Sequence, residues 1–220
     1  MYRHLFVDGQ DSQLPIGKVV CIGRNYADHV RELNNPTPSS PVLFIKPREA
    51  ICDMHLPIKI PTTSGECHNE LEVALLIDKP LTACDAQSGL DAVVGIGLGL
   101  DLTLRDVQTE LKQSGHPWER AKAFDNSCPL SKFVRSGVFE NWQNIEFQLT
   151  VNDQCQQQGS TANMLFSIAD LLCEVTRSFT LNPGDVVLTG TPKGVGPLHI
   201  GDRLTTKLAD KLSVTTSIIK

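Results

Sequence analysis

Two glutamates on one predicted strand are the residues of this sequence best suited to chemistry. Between residues 68 and 77, a period of two places His68, Glu70 and Glu72 on one face of a strand. Taken alone, alternating glutamates are equally typical of a strand face exposed to solvent. Here the strand continues into five aliphatic residues, 73–77, as a strand buried on both faces does. We therefore expect both carboxylates to point into an interior cleft.

A third carboxylate extends this pattern. Segment 95–103 alternates glycines with aliphatic residues, and Asp101 falls on the glycine face, where another group can approach the backbone closely. Buried carboxylates resist ionisation unless a positive charge compensates them. Ligation by carboxylate oxygens suits Mg²⁺, Mn²⁺ or Ca²⁺ better than zinc. We predict that Glu70, Glu72 and Asp101 bind one Mg²⁺, or Mn²⁺; His68 could be a fourth ligand, although a structural role beside the ion is favoured.

Short β-rich runs must position these carboxylates. They lie at 42–45, 71–77, 145–151, 186–189, 204–208 and 212–219. Three segments show helical periodicity instead, 26–33, 104–113 and 168–177, and Ser167 with Asp170 forms a capping pattern at the start of the third. Strands and helices do not alternate regularly, which disfavours a doubly wound sheet or a TIM barrel. The sequence predicts an α+β fold built on packed or rolled sheets.

Length and charge narrow the class of protein. The 220 residues fit one domain, 1–220, with a short segment 1–17 leading into it. A formal net charge of −5 argues against nucleic acid or an anionic membrane surface as a partner. No apolar run approaches the ~20 residues of a membrane span, and the seven scattered cysteines form no C-x-x-C pair. We expect a soluble, cytoplasmic protein with reduced thiols.

Other motifs accompany the carboxylates. They stand at 23–29 (GRNYADH), 44–47 (FIKP), 101–108 (DLTLRDVQ), 121–124 (AKAF) and 189–196 (TGTPKGVG). With the pattern His68-x-Glu70-x-Glu72, they resemble the motifs of the fumarylacetoacetate hydrolase family, in its order, from about residue 18 onward. The likeness is to the small single-domain members of acylpyruvase and oxaloacetate decarboxylase type. It implies a mixed β-sandwich roll with a few peripheral helices, a homodimer, and Mg²⁺ or Mn²⁺ on the three carboxylates.

The resemblance also assigns catalytic roles. His29 and Glu32 stand three apart in a predicted helix, hence on one face, although a lone pair at this spacing is also typical of an exposed helix surface. The matching pair in the family acts as a dyad on a mobile lid, in which Glu32 orients His29 and His29 activates a water. Lys122 is implied to lie beside the reacting centre, where its charge stabilises a developing enolate.

Substrate-binding residues follow from the same motifs. Arg105 and Gln108 share a helix stripe with Lys112 and are expected to contact the substrate carboxylate and oxo groups. The G-x-x-x-x-G-K-[ST] spacing of a nucleotide-binding loop is missing, yet a Gly-rich turn still presents backbone N–H groups to an anion. The full predicted substrate-binding set is Arg24, Lys46, Arg105, Gln108, Gly190 and Thr191.

Two enzymatic functions and one binding function remain open at this stage. The first is a metal-dependent hydrolase that cleaves a carbon–carbon bond in 2,4-dioxo acids (acylpyruvates), decarboxylates oxaloacetate, or does both, through a metal-bound pyruvate enolate. The second is an isomerase or tautomerase of unsaturated oxo-dioates from aromatic catabolism, which uses the same metal and enolisation without hydrolysis. The third is a non-catalytic module that binds a metal-chelated acid.

Overall fold

Strands flanking the predicted carboxylates form the centre of the fold. A computed structural model describes residues 2–34 and 36–220. Its strands are β1 (Val19–Gly23), β2 (Val42–Lys46), β3 (Ile51–Asp53), β4 (Ile58–Lys59), β5 (Cys67–Asn69), β6 (Leu71–Ile77), β7 (Val93–Leu100), β8 (Thr103–Leu104), β9 (Cys128–Leu130), β10 (Val134–Arg135), β11 (Glu146–Val151), β12 (Gln154–Ser160), β13 (Val186–Leu188), β14 (Gly196–Pro197), β15 (Arg203–Leu208) and β16 (Leu212–Ile219). The helices are α1 (Ala27–Glu32), α2 (Ala86–Asp91), α3 (Arg105–Gln113), α4 (Glu119–Lys122) and α5 (Ile168–Ser178).

These strands form three sheets, of which the two larger are mixed and the smallest is antiparallel. The largest has eight strands in the order β2-β1-β13-β6-β7-β9-β3, with β10 also paired to β7; the others run β12-β11-β15-β16-β4 and β14-β5-β8. In the largest sheet β1 is parallel to β13, whereas β6 is antiparallel to both of its neighbours. Mixed sheets with segregated helices confirm the predicted α+β class.

The central strand β6 is buried on both faces, as its aliphatic run predicts. All seven of its residues are buried. Alternate side chains pack into one core cluster with Phe147 and α5, and the intervening ones into a second cluster with Phe133 on the opposite face. A strand in this position has no solvent-exposed side, so polar groups at its ends must find partners inside the protein.

The pairing of β6 with β7 brings the three carboxylates to one end of the sheet. Glu72 lies opposite Gly99, and the backbone N–H of Asp101 donates to the Glu70 carbonyl at 2.8 Å. The predicted close approach at the glycine face also occurs. A Cβ atom at Gly99 would lie 2.6 Å from the side chain of Leu188, so this face of β7 is packed against core side chains rather than open to a ligand.

Helix positions agree with the periodicity, with small shifts at the ends. The predicted helices 26–33, 104–113 and 168–177 become α1, α3 and α5. The Ser167 hydroxyl accepts from the Asp170 N–H and the Asp170 side chain accepts from the Ser167 N–H, which confirms the capping pattern. Of the helices in 2–34 and 36–220, none is long and apolar enough to cross a membrane.

Candidate active site

The three predicted ligands converge where β6 and β7 meet. Glu70, Glu72 and Asp101 are all buried, and each offers an oxygen within 4.8 Å of the oxygens offered by the other two. Asp101 Oδ1 has the Lys46 Nζ at 2.8 Å but accepts no aligned hydrogen bond from the described residues. Hard divalent cations bind carboxylate oxygens. The Asp101 Oδ1 atom, which is buried without a hydrogen bond, is available for such a bond. These residues therefore fit Mg²⁺ or Mn²⁺.

Positive side chains surround the carboxylates. Lys122 Nζ donates to Glu70 Oε2 at 2.7 Å and to Asp101 Oδ2 at 2.5 Å, and Arg105 donates to Glu70 Oε1. Burial lowers the pKa of the Lys122 ammonium, but the charges of Asp101 and Glu70 outweigh it and raise that pKa to about 12. Lys122 therefore lies against two of the three carboxylates, and its role at a reacting centre stays a prediction.

The two glutamates respond to this environment in opposite ways. Burial raises the pKa of Glu70, but Lys122 and Arg105 outweigh burial and hold it well below its usual range. The pKa of Glu72 is raised by burial and then by the negative charges of Asp101 and Glu70. The Gly190 N–H donates to Glu72 Oε2 at 2.7 Å and offsets only part of this effect. At Glu72 a proton therefore competes with a cation for the predicted site.

Lys46 lies behind the site rather than in it. Its side chain is fully buried, and its Nζ donates to the carbonyls of Leu102 and Ser127 at 3.3 and 3.0 Å, and also to the carbonyl of Lys122. It is absent from the described residues that line the cavity beside the carboxylates. This placement does not support the predicted substrate contact, because the chain segments that carry Asp101 and Lys122 lie around the Lys46 ammonium.

The predicted dyad is assembled on α1. His29 Nδ1 and Glu32 Oε2 are 3.3 Å apart, and Glu32 Oε1 accepts from the Gly194 N–H at 2.9 Å. His29 lines the same cavity as Glu70 and Glu72. The dyad, although carried by a helix of only six residues, is therefore braced against the Gly-rich loop at 189–196.

The remaining predicted contacts divide between the cavity wall and the layer behind it. Arg24, Arg105, Gln108 and Thr191 line the cavity, and Arg105 donates to the Gln108 amide oxygen. The N–H of Gly190 is used by Glu72 and not by the open space, so the predicted anion contact at Gly190 is not seen. His68 accepts from Arg105 Nε at 3.4 Å and lies outside the triad, as its expected structural role requires.

Sequence reasoning missed several residues of this site. Trp118 and Phe44 form part of the wall, and the Lys122 ammonium lies 5.1 Å from the centre of the Phe44 ring. Gln157 is buried in β12, accepts from the Leu71 N–H at 2.9 Å and donates to Thr191 Oγ1 at 2.8 Å. Trp118 could have been found from the sequence, because an aromatic residue so close to the AKAF motif is a candidate for the wall of the same site. Gln157 gave no such signal, since its neighbours at 154–158 are mostly polar.

Three carboxylates that fit a divalent cation, next to a histidine held by a glutamate, define the class: this α+β protein is an enzyme. More particularly, the chain belongs to the fumarylacetoacetate hydrolase family, because residues 18–218 match the family described as Fumarylacetoacetate (FAA) hydrolase C-terminal. The resemblance found in the motifs is thereby confirmed.

Individual relatives narrow the comparison. The chain is 48% identical to the oxaloacetate tautomerase YcgM of Escherichia coli over 220 residues, which cover 100% of both chains. It is 41% identical to the human mitochondrial oxaloacetate tautomerase FAHD1 over 202 residues, 92% of this chain and 91% of the relative. Among solved structures, a fumarylpyruvate hydrolase from Pseudomonas aeruginosa in complex with Mn²⁺ and pyruvate superposes with a TM-score of 0.91 at 31% identity, covering 98% of this chain and 94% of that one.

The raised pKa of Glu72 predicts that cation binding depends on pH. Binding must displace the Glu72 proton, so the apparent Mn²⁺ affinity rises with pH by up to about tenfold per unit until Glu72 ionises in the cation-free protein. Calorimetric titrations in buffers of different ionisation enthalpy will show proton release on binding. The Glu72→Gln variant should bind Mn²⁺ roughly 100-fold more weakly, whereas exposed Glu66→Gln should behave as the wild type. Binding that releases no proton at any pH would contradict this account.

The position of Lys46 predicts a structural loss on substitution. Lys46→Met removes the ammonium that bonds three carbonyl groups and faces Asp101, and it leaves that buried carboxylate less compensated. The free energy of unfolding should fall by about 3 kcal/mol or more, as for other broken buried ion pairs. Urea unfolding measures the loss, and exposed Lys59→Met is the matched control. An unfolding free energy equal to that of the control would show that Lys46 does not hold this region together.

Proposed function

We propose that this enzyme acts on oxaloacetate or a similar small 2-oxo acid by forming and protonating its enolate. The observation that carries the proposal is the position of Lys122, whose ammonium bonds Glu70 and Asp101 and lines the cavity that His29 also lines. A fixed positive charge on one wall and a proton carrier on another are the two groups that enolisation needs.

The chain's own residues account for the binding and proton steps. Arg105 and Gln108 bind the carboxylate next to the oxo group, and Thr191 completes that wall. Glu32 accepts from His29 Nδ1 and so leaves the other ring nitrogen to exchange a proton with the carbon beside the oxo group. Lys122 stabilises the negative charge that forms on the oxo oxygen. A divalent cation on Glu70, Glu72 and Asp101, when bound, supplies Lewis-acid polarisation of the same oxygen.

Tautomerisation uses only these groups. His29, through the ring nitrogen that Glu32 leaves free, takes the O–H proton of the enol directly or through a water, and the imidazolium so formed returns a proton to the carbon beside the oxo group; the reverse sequence forms the enol. The names of the relatives from Escherichia coli and human support oxaloacetate as the substrate. Decarboxylation of oxaloacetate would reach the pyruvate enolate in the same site as the bond to the departing CO₂ breaks.

Hydrolysis of acylpyruvates is the second candidate, and the His29–Glu32 pair specifically favours it. A histidine that is oriented by a carboxylate can take a proton from water as that water attacks the distal carbonyl. The carbon–carbon bond then breaks, its electron pair forms the pyruvate enolate, and the enolate is protonated at carbon. The manganese-bound fumarylpyruvate hydrolase of similar fold supports this reading.

We also propose the identity of the resident ion, the extent of the domain and the cellular compartment. We propose Mg²⁺ as the resident ion, because three carboxylates and an open cavity suit a cation that retains water. One catalytic domain spanning 1–220 is supported by the bridge between Phe6 and Phe133, which joins the N-terminal segment to the central sheet. Seven free thiols among the described residues support a reducing compartment such as the cytoplasm.

A substrate panel with His29→Ala tests the proposed reaction. The wild type, supplied with Mg²⁺ or Mn²⁺, should accelerate enol–keto exchange of oxaloacetate, followed by the enol absorbance, and EDTA should abolish it. Loss of the proton carrier should lower kcat by about 10²–10⁴, whereas exposed His199→Ala should not. Pyruvate release from acetylpyruvate in the same panel separates hydrolysis from tautomerisation. No turnover of any substrate under any metal condition would favour a non-catalytic binding module.

We also propose that the protein is a homodimer formed through the edge of the large sheet. Within the described residues β2 pairs only with β1, so its outer edge offers unpaired backbone groups. Beside it, Ile45, Ala123 and Phe124 line an open apolar groove. A second copy that covers this groove would remove both features from water.

Light scattering after size exclusion tests the dimer. The wild type should show about twice the 24.1 kDa mass of one chain, and Ile45→Glu should shift it toward the mass of one chain because a buried charge opposes assembly. Leu56→Glu is the matched control, since Leu56 is an exposed aliphatic residue outside this groove. A wild type with the mass of one chain, or an Ile45→Glu variant that stays dimeric, would refute this interface.

A further inference from the structure

Two of the seven cysteines lie together where α5 meets the loop before α2. Cys84 stands just before Asp85, the N-cap residue of α2, and Cys173 belongs to α5. The two helices pack against each other, and both cysteines are partly exposed to solvent. A water-soluble reagent can therefore reach this pair, in contrast to the three cysteines that are fully enclosed, Cys21, Cys67 and Cys128.

The Cys84 side chain is held against α5. Its Sγ atom lies 3.7 Å from the Leu172 carbonyl oxygen and 3.2 Å from Thr176 Oγ1. The Cys84 backbone N–H donates to the same Thr176 hydroxyl at 3.1 Å. On the side of α2, a Cβ atom at Gly89 would lie only 3.3 Å from the sulfur. These contacts place the Cys84 sulfur over the turn of α5 that runs from residue 172 to residue 176.

Cys173 belongs to that turn. It precedes Thr176 by three positions, so the two side chains are neighbours on the helix surface. The Thr176 hydroxyl also lies 3.2 Å from the Cys173 carbonyl oxygen. The Cys173 pKa is raised by burial first and then by Cys84, which acts through its charge and through a hydrogen bond between the two side chains. The two thiols are therefore adjacent.

The pair joins distant parts of the chain that are already held together. Cys84 and its contact Leu172 are 88 positions apart. The Ala83 N–H donates to the Thr176 carbonyl at 2.9 Å, and Leu81 forms a β-bridge with Leu181. A covalent bond between the two sulfur atoms would thus close a long loop while the backbone on both sides stays in place, which restricts the unfolded chain far more than the folded one.

We propose that Cys84 and Cys173 form a reversible disulfide when the protein meets hydrogen peroxide, and that this bond ties the loop before α2 to α5. Neither cysteine lines the active-site cavity, so the inference does not depend on the proposed reaction. In a reducing compartment the two residues stay as thiols.

The chemistry needs only the two thiols and one peroxide. The first thiolate attacks a peroxide oxygen; an S–O bond forms, the O–O bond breaks, and the departing hydroxide takes a proton to become water. The second thiolate attacks the resulting sulfenic sulfur, so that the S–S bond forms, the S–O bond breaks and a second water leaves. The thiols lose two electrons and two protons, and the peroxide is reduced to two waters. Dithiothreitol restores the thiols by exchange.

Peptide mapping of the wild type tests the pair directly. After a short treatment with hydrogen peroxide, the intact chain should lose about 2 Da. Digestion without reductant should yield the peptides of Cys84 and Cys173 as one cross-linked species. The Tm should rise by about 5 °C, because closure of a long loop restricts the unfolded chain. Dithiothreitol should reverse all three changes.

Variants identify the residues responsible. Cys84→Ser and Cys173→Ser should each abolish the mass loss and the rise in Tm, whereas Cys155→Ser, at an exposed position away from the pair, should respond as the wild type does. The wild-type map decides the matter even if a variant does not fold. Cys84 and Cys173 recovered as separate peptides after Cys155 has been oxidised, or either of them joined to a different cysteine, would overturn the proposal.

Discussion

Compensation of three buried negative charges is the constraint on which this structure depends. Glu70, Glu72 and Asp101 lie at the ends of two strands that have no exposed face. Lys122 and Arg105 pair with these carboxylates from the cavity side, and Lys46 pairs with Asp101 from the opposite side. These ion pairs offset part of the free energy needed to bury the negative charges. Glu72 has no cationic hydrogen-bond partner among the described residues, so burial, and then the charges of Asp101 and Glu70, raise its pKa. A divalent cation can stabilise the negative charge that these ion pairs do not compensate.

Hydrogen bonds from buried side chains hold the carboxylates and the Gly-rich loop in one arrangement. The Thr191 hydroxyl donates to the Leu71 carbonyl, and the Thr189 hydroxyl donates to the Val73 carbonyl, so the Gly-rich loop is fixed to β6. Gln157 uses its amide to join Leu71 and Thr191, which links the five-stranded sheet to the site. A fully bonded buried amide of this kind holds its partners in one geometry, because any shift would leave a polar group unpaired. The catalytic groups are thus positioned by contacts from three directions.

The sequence predicts those parts of the site that depend on local periodicity. Glu70 and Glu72 could be recognised because a period of two and an aliphatic continuation identify a doubly buried strand, and Ser167 because capping is local. Lys46 was misplaced because an apolar strand does not reveal which face meets the cavity and which meets the interior. Gln157 was invisible because its partners lie more than 30 residues away in sequence. Non-local hydrogen bonds leave no pattern in the strand that supplies them.

The reactions considered for this site share one intermediate, the enolate. The three carboxylates alone therefore do not determine which of the reactions takes place. Tautomerisation, decarboxylation and acylpyruvate hydrolysis all place negative charge on the same oxo oxygen, which is the atom that Lys122 is proposed to stabilise. They differ in the bond that changes: a proton moves at the carbon beside the oxo group, CO₂ departs from that carbon, or water attacks the distal carbonyl. In the proposed function, selection among them therefore depends on groups away from the carboxylates, of which the pair His29 and Glu32 is the one that can activate water. In the proposed function, the shared enolate chemistry thus depends on the carboxylates at the ends of β6 and β7, whereas the choice of reaction depends on the dyad carried by α1.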